Sequence, residues 1–471
     1  MATATTSRTS GAPLTGGQHL AASRARSCRL ARPQRTVSRR PAVVIARSSS
    51  SSRGSEGSES PVARLGDRTY VNFTGFPFPL GPLLDRRTCC YEVEKGRVWT
   101  FEQEQSLGFT NVTTNTRMTV IKLSTGGLWV HAPIAPTREC IRLLQELDAP
   151  VEHVVLPTFA YEHKIFMAPF CRRFPKAQQW VAPRQWSWPV NLPVTFFGVL
   201  KPKTLGESEA PWMEDIDMKI LNPPSLGLAE YVGFPEVAFF HRQSRSLLLT
   251  DSVIYVPADP PEVIRLQNLL DAATDNLIVQ LSMTLVSDVD ISGYDLQKTV
   301  DDTPASRRKG WRRMTLQVLF FGPEDIYNPD ASFRAISNRV VVSPIVRKLV
   351  YNKIPGDVRA WVDSIAADWN FRQIIPCHFA GPVACNPREF RKAYEWLEAE
   401  SGEFASGAQE EPEAAAPARK GGLPAWWPFA EPRGKASKRS AYFTFPEADM
   451  KLLNGLNKIL LDVGVFKTKR Q

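Results

Sequence analysis

The chain has 471 residues, of which 43% are hydrophobic and 23% charged, enough for one large cored domain with appendages. Its formal charge of +10 sits in a leader: residues 1–50 hold nine arginines and no acidic residue, leaving 49 basic and 48 acidic side chains in 51–471. The basic balance is therefore no sign of a nucleic-acid partner, and with no run of 18 or more apolar residues the sequence offers no spanning helix.

The leader is rich in Ser, Thr, Ala and Arg and lacks the continuous apolar core of a secretory signal. This make-up predicts an organelle transit peptide over 1–47. Val44-Ile45-Ala46 and the serine run 48–52 point to the chloroplast: stroma, or the periphery of the thylakoid. Residues 48–68 read as a disordered linker, and order begins near Tyr70 within a domain expected over 69–400. The seven cysteines show no Cys-x-x-Cys spacing, so neither a zinc ribbon nor a disulfide framework is expected.

Met118–Leu123 and Leu128–His131 flank Ser-Thr-Gly-Gly and predict a hairpin. Thr137 is a good N-cap for a helix over Arg138–Asp148. Val151–Leu156 is a short apolar strand fit for a doubly covered sheet. It runs into Leu-Pro-Thr-Phe-Ala-Tyr-Glu-His-Lys, a loop leading to a helix over Phe166–Phe174 and a strand over Gln179–Ala182. Val237–His241 and Ser246–Thr250 form a second hairpin, ending in Asp251. A long insert is expected over 262–365, with helices near Val263–Leu270 and Phe333–Tyr351. Its basic run from Arg307 to Arg313 suits a solvated face or an anionic surface. Arg372–Pro376 is the last strand, closing on Cys377-His378, and Pro387 opens a helix to about Ala399. A low-complexity linker over 401–440 precedes a C-terminal segment, 441–471, whose helix spans Pro446 to about Val463. That helix carries Met450, Leu453, Leu456, Ile459 and Leu460 for docking on the domain, on a plastid protein partner or on a membrane surface. Trp180, Trp186 and Trp188 either wall a small-molecule ligand or pack the domain edge.

The hairpin, the acid–histidine loop, the Ser-x-Ser-Leu-Leu-Leu-Thr-Asp strand and the terminal Cys-His resemble a family of metallo-β-lactamase-like proteins. These occur in photosynthetic organisms and bacteria and are known by a domain of unknown function (DUF4336). The likeness covers Met118–Val256 and Phe371–Phe390, sharpest in Pro157–Lys164, Trp180–Pro193 and Phe239–Asp251. It implies an α/β fold, an αββα sandwich carrying the helical insert, with the site at strand ends along one edge.

Residue by residue, the resemblance assigns Asp251 to the family's bridging aspartate and His378 to the histidine after the last strand. Glu162-His163 fall at the Asp-His end of the first loop, and His131 where an aspartate usually stands. Phe159 and Tyr161 occupy the places of the leading histidines, and Leu221–Gly227 lacks the histidine of the next loop. Beyond the leader only His131, His153, His163, His241 and His378 remain, too few converging imidazoles for two metals. Two readings follow. In one the site is degenerate, without a metal cofactor, and the domain binds or assembles. In the other His163, Asp251 and His378 hold one Zn or Fe ion, with Glu162 or His131 as general base, and the protein is a hydrolase or oxidoreductase acting on a small plastid metabolite. A third places the protein at the thylakoid surface through 401–471.

Overall fold

The structure, a computed structural model, describes residues 66–71, 81–106, 112–185, 187, 191–223, 233–275, 299–398 and 442–462. The predicted transit peptide, the predicted linker 401–440, Trp186, Trp188 and most of the Leu221–Gly227 loop lie outside these residues. One sheet runs in chain order through β1 (Thr88–Glu94), β2 (Val98–Ser106), β3 (Thr113–Lys122), β4 (Leu128–His131), β5 (Val151–Leu156), β6 (Gln178–Val181) and β7 (Lys203–Thr204). It is antiparallel up to β4 and parallel from there. The chain then builds β8 (Ile216–Leu221), β9 (Glu236–His241) and β10 (Ser246–Leu248), followed by a small ribbon of β11 (Ile254–Tyr255) with β12 (Val340–Val341). With β13 (Gln373–Ile375) and β14 (Val383–Ala384), the second sheet has the order β14-β13-β10-β9-β8.

Helices α1 (Arg138–Gln145), α2 (Tyr161–Cys171), α3 (Leu266–Ala273), α4 (Pro304–Phe320) and α5 (Asp330–Ile336) come first. α6 (Pro344–Leu349), α7 (Pro355–Asp368), α8 (Pro387–Lys392) and α9 (Lys451–Asp462) follow.

Side chains that alternate along each strand fall into different cores, and this fixes the layers. Trp129, Val155 and Trp180 of the first sheet meet Val237, Phe239, Leu248 and Ile375 of the second in one buried cluster between the sheets. Their neighbours Leu128, Val130 and Val154 point the other way, onto Cys140 and Leu144 of α1 and Met167 and Phe170 of α2. On the far side Ala238, Phe240, Leu247 and Ile374 pack against Val358, Trp361 and Ile365 of α7 and Phe390 of α8. The result is the αββα sandwich, its two sheets each covered by helices. Trp180 is wholly buried in the inter-sheet core, 4.7 Å from Trp212, so this tryptophan packs the interior.

Several element boundaries differ from the sequence reading. α2 begins at Tyr161, not Phe166, because Ala160 at its N-cap supplies no side-chain acceptor to mark the start. The predicted helix over Phe333–Tyr351 is split, since Asn338 takes positive φ and Pro344 starts a new turn. α4 went unrecognised although Thr303 caps it, because Gly310, Arg313, Thr315 and Gln317 are buried among Met314, Leu316 and Leu319 and break the apolar periodicity. α8 stops at Lys392, short of the predicted Ala399. α7 lies inside the stretch read as an insert yet forms the outer layer on the second sheet.

The remaining insert helices build a core of their own, in which α3 and α4 touch Ile254 and Val256. The basic run lies on α4 and is already matched within the chain. Arg307, Arg308, Lys309 and Arg312 pair with Asp302, Asp259, Asp275 and Asp330. Arg313 is fully buried and donates to Asp275 and to the carbonyls of Ala273, Thr274 and Ile326. α9 is docked as well: Leu453 is buried in the insert core and Leu460 packs against the core of the second sheet, while Ile459 remains 59% exposed.

At Gly310 a Cβ would lie 1.8 Å from the Leu269 carbonyl oxygen, so α3 and α4 approach too closely for any side chain. Gly310→Ala is expected to destabilise the protein by about 1–3 kcal/mol despite alanine's better helix propensity, read as a lowered midpoint in thermal unfolding. A second stability term is acid-sensitive. His241 is buried at the β9–β10 turn, its Nδ1 2.6 Å from Ser244 Oγ, and burial lowers its pKa to about 4. Between the unfolded value of 6.5 and about 4 the unfolded chain takes a proton that the fold refuses, so stability falls with falling pH in that window. His131 and His163 cost stability in the same window, so urea unfolding at pH 7 and pH 4.5 should show a loss that is smaller in His241→Gln than in the parent by up to about 3 kcal/mol.

Candidate metal centre

Strand pairing brings the site together. β10 and β13 run parallel with Ser246 opposite Gln373, Leu247 opposite Ile374 and Leu248 opposite Ile375. Backbone bonds continue past the strands, from Leu249 N to the Ile375 carbonyl and from Cys377 N to the Thr250 carbonyl. Continuing this register sets Asp251 opposite His378, although more than a hundred residues separate them. The third contributor comes from the other sheet. β5 ends at Leu156, Val237 N donates to the Pro157 carbonyl, and α2 then starts with Glu162 and His163 in its first turn. Glu162, His163, Asp251 and His378 offer ligand atoms that all lie within 4.8 Å of one another.

The hydrogen bonds show what this cluster is suited to hold. The His378 Nδ1 lies 2.9 Å from the Asn115 carbonyl oxygen, which can only accept, so Nδ1 carries a proton. Nε2, 3.2 Å from Asp251 Oδ1, must then either carry a second proton or direct its lone pair at a cation. Burial by itself lowers the His378 pKa, but the hydrogen bond to Asp251 and the charges of Asp251 and Glu162 outweigh it and raise it. Asp251 is held low despite burial, by the His378 hydrogen bond and by the charges of His378 and His163. Glu162 is raised, first by burial and then by repulsion from Asp251.

His163 is fully buried, and among the described residues neither of its ring nitrogens has a hydrogen-bond partner. Burial lowers its pKa to about 4, so the ring is neutral with a lone pair available. An imidazole orphaned at both nitrogens, within reach of a second imidazole and two carboxylates, fits a divalent transition ion. The donor set also fits one such ion better than two. The aromatic residues standing where further histidines would be needed line the same cavity without offering a nitrogen, Phe159 packing on Phe234 and Tyr161 on Phe197.

His131 is not brought into the cluster. It is fully buried between Trp129 and Phe239, with Cys377 Sγ 4.0 Å from its Nδ1, and burial lowers its pKa to about 3. His153 lies against Trp212, on the inter-sheet core. Glu236 escaped the sequence reading. It opens β9, accepts from Thr250 N at 2.8 Å and lines the same cavity, and burial followed by the charge of Asp251 raises its pKa to about 8. The one signal in the sequence is an acid after Pro235 at the head of the strand that pairs with β10.

A polar clamp holds the His378 loop. Arg117 is 1% exposed, ion-paired to Glu102 at 2.7 Å, and donates to the carbonyls of Pro376 and Phe379 on either side of His378. Asn115 adds reciprocal bonds to Phe379 N and O at 2.9 Å. Above the cluster opens a cavity of about 670 Å3. Its floor includes Glu162, Asp251, His378 and Glu236, while Leu319, Phe321, Ile345 and Val350 of the insert form the roof.

Among solved structures the chain is similar to a putative diflavin flavoprotein A 5 fragment from Nostoc sp. PCC 7120. Identity is 13%, covering 68% of this chain and 99% of that one, with a TM-score of 0.36. It is also similar to a metallo-β-lactamase from Pontibacter korlensis at 10% identity, covering 66% and 99%, with a TM-score of 0.30. A metal-soaked flavodiiron core from Synechocystis sp. PCC6803 matches at 11% identity, covering 67% and 61%, with a TM-score of 0.34. No curated protein matches the chain. The sandwich assignment rests on the cores described above and not on these distant likenesses. The family model described as "Domain of unknown function (DUF4336)" matches residues 95–331 and 326–396, and the chain belongs to that family.

Proposed function

We propose that the protein is a single-metal enzyme acting on a small molecule, with His163, Asp251 and His378 as ligands and Glu162 at the open side. The observation that carries this reading is the doubly orphaned, fully buried His163 beside three further ligand atoms. An ion there would supply Lewis acidity toward a substrate oxygen or lower the pKa of a bound water. The chain's own groups do the rest. Asn115 fixes which nitrogen of His378 faces the site, and Asp251 sets its orientation. Glu162, whose pKa is raised by burial and by Asp251, lies beside the other ligand atoms, where it is placed to take or return a proton at the reacting oxygen. Glu236, protonated near pH 7, can donate to a second substrate oxygen.

The test is the metal content of the purified full-length chain, with cobalt(II) titrated into chelator-treated protein. About one ion per chain and a visible cobalt spectrum are expected. A metal-free chain that takes up no cobalt overturns the reading.

One observation favours a second reading, a domain with a degenerate site that binds or assembles. Asp251, His378 and Asn115 already satisfy one another in a strut that braces the two sheets without an ion. The same metal measurement separates the two. In either case we place the protein in the chloroplast, on the strength of its Arg- and Ser-rich, acid-free leader. A fluorescent fusion to residues 1–60 tests this, and a cytosolic signal would refute it.

A further inference from the structure

Resting on the single-metal reading above, we propose that the substrate is an apolar molecule of about twenty non-hydrogen atoms with one oxygen-bearing head. A long-chain acyl acid or ester is of this class. Its size follows from the cavity of about 670 Å3, since a water-sized group takes about 30 Å3. Its polarity follows from how the lining is sorted. Glu162, Asp251, His378 and Glu236 share the floor, and Gln105 and Thr114, cross-strand partners beside Asn115, sit with them. The buried Gln105 Oε1 and Thr114 Oγ1 have no protein partner among the described residues, so the floor still offers an amide acceptor and a hydroxyl that can donate or accept.

Away from the floor the walls are mostly hydrocarbon, from Phe234, Ile254, Leu319, Ile345 and Val350, with Ser343 and Tyr351 adding hydroxyl-bearing side chains from the insert. A sugar or nucleotide would bury hydroxyl and amide groups against this hydrocarbon with nothing to bond, whereas an alkyl or isoprenoid chain loses no hydrogen bond there. Three of the five hydrocarbon residues come from the insert, so it is the insert that converts a strand-end cleft into an apolar chamber. The occupant is thus oriented before any chemistry, its head on the ligand cluster and its tail under the roof.

The experiment uses the full-length chain and cis-parinarate, a fluorescent long-chain polyene monocarboxylate. Uptake with enhanced fluorescence is expected, displaced by oleate and not by butyrate. Leu319→Trp combined with Ile345→Trp should weaken uptake roughly tenfold while leaving metal content unchanged. Ile345→Ala, which only removes volume, should shift competition toward longer-chain monocarboxylates. No uptake by the parent chain, or uptake that neither variant alters, overturns the assignment. A metal-loaded chain without uptake removes this inference alone, and a metal-free chain with variant-sensitive uptake removes the metal reading alone.

Discussion

His163→Phe is expected to abolish metal binding while leaving the metal-free protein as stable as before, or more stable by about 1 kcal/mol. The asymmetry follows from the site. In the metal-free fold His163 makes no hydrogen bond among the described residues, so its two buried nitrogens are a cost that phenylalanine does not carry. With an ion bound, the same ring supplies a ligand bond that phenylalanine cannot replace. His378→Ala should behave differently. It also removes the ion, but it leaves the half-buried Asp251 and Glu162 without their cationic neighbour and frees the Asn115 carbonyl. A loss of about 1–3 kcal/mol is expected even with chelator present. Calorimetry of both variants with and without chelator, alongside their metal content, distinguishes the cases. If His163→Phe lowers stability equally in both conditions, His163 is a packing residue and the metal assignment fails.

The second large effect is expected at Arg117, which touches no ligand atom. Arg117→Met leaves Glu102 buried without its cation and strips donors from the Pro376 and Phe379 carbonyls, for a loss of about 3–5 kcal/mol. Metal affinity should fall between 10- and 100-fold, because the loop that aims His378 is no longer held. Adding Glu102→Leu removes the stranded carboxylate and should return much of the stability. It should not return the affinity, since the Pro376 carbonyl stays without its donor and Asn115 alone holds Phe379. Recovery of both together would show that Arg117 acts only on stability.

How much of this was legible from the chain alone depended on whether neighbours in sequence were also neighbours in space. β4, β5, β9 and β10 announced themselves as short runs of apolar β-formers beside turn residues, because each lies in a layered core covered on both faces. β1 and β2 did not. β2 buries Thr100, Gln103, Glu104 and Gln105 where apolar residues would have marked a strand, and Glu104 finds its partners, Arg265 and Asn268, far along the chain. The ligand positions were readable as a resemblance, through Leu-Leu-Leu-Thr-Asp and Pro-Cys-His, but the register that sets Asp251 beside His378 is a property of the sheet. Glu236, the Arg117 clamp and the roof of the cavity depend on tertiary placement and left almost no local mark.

The position of the insert separates two properties that are usually entangled. Asp251 and His378 end adjacent strands, and the chain leaves the sheet after the first and returns to it before the second. Whatever is spliced between those points must come back to the same edge, so its length and shape are free to change while the reacting groups stay in register. Under the single-metal reading proposed above, selectivity would be carried by a replaceable cassette and reactivity by the scaffold. Exchanging the segment between β11 and α7 for that of another family member would retarget the chamber without redesigning its floor.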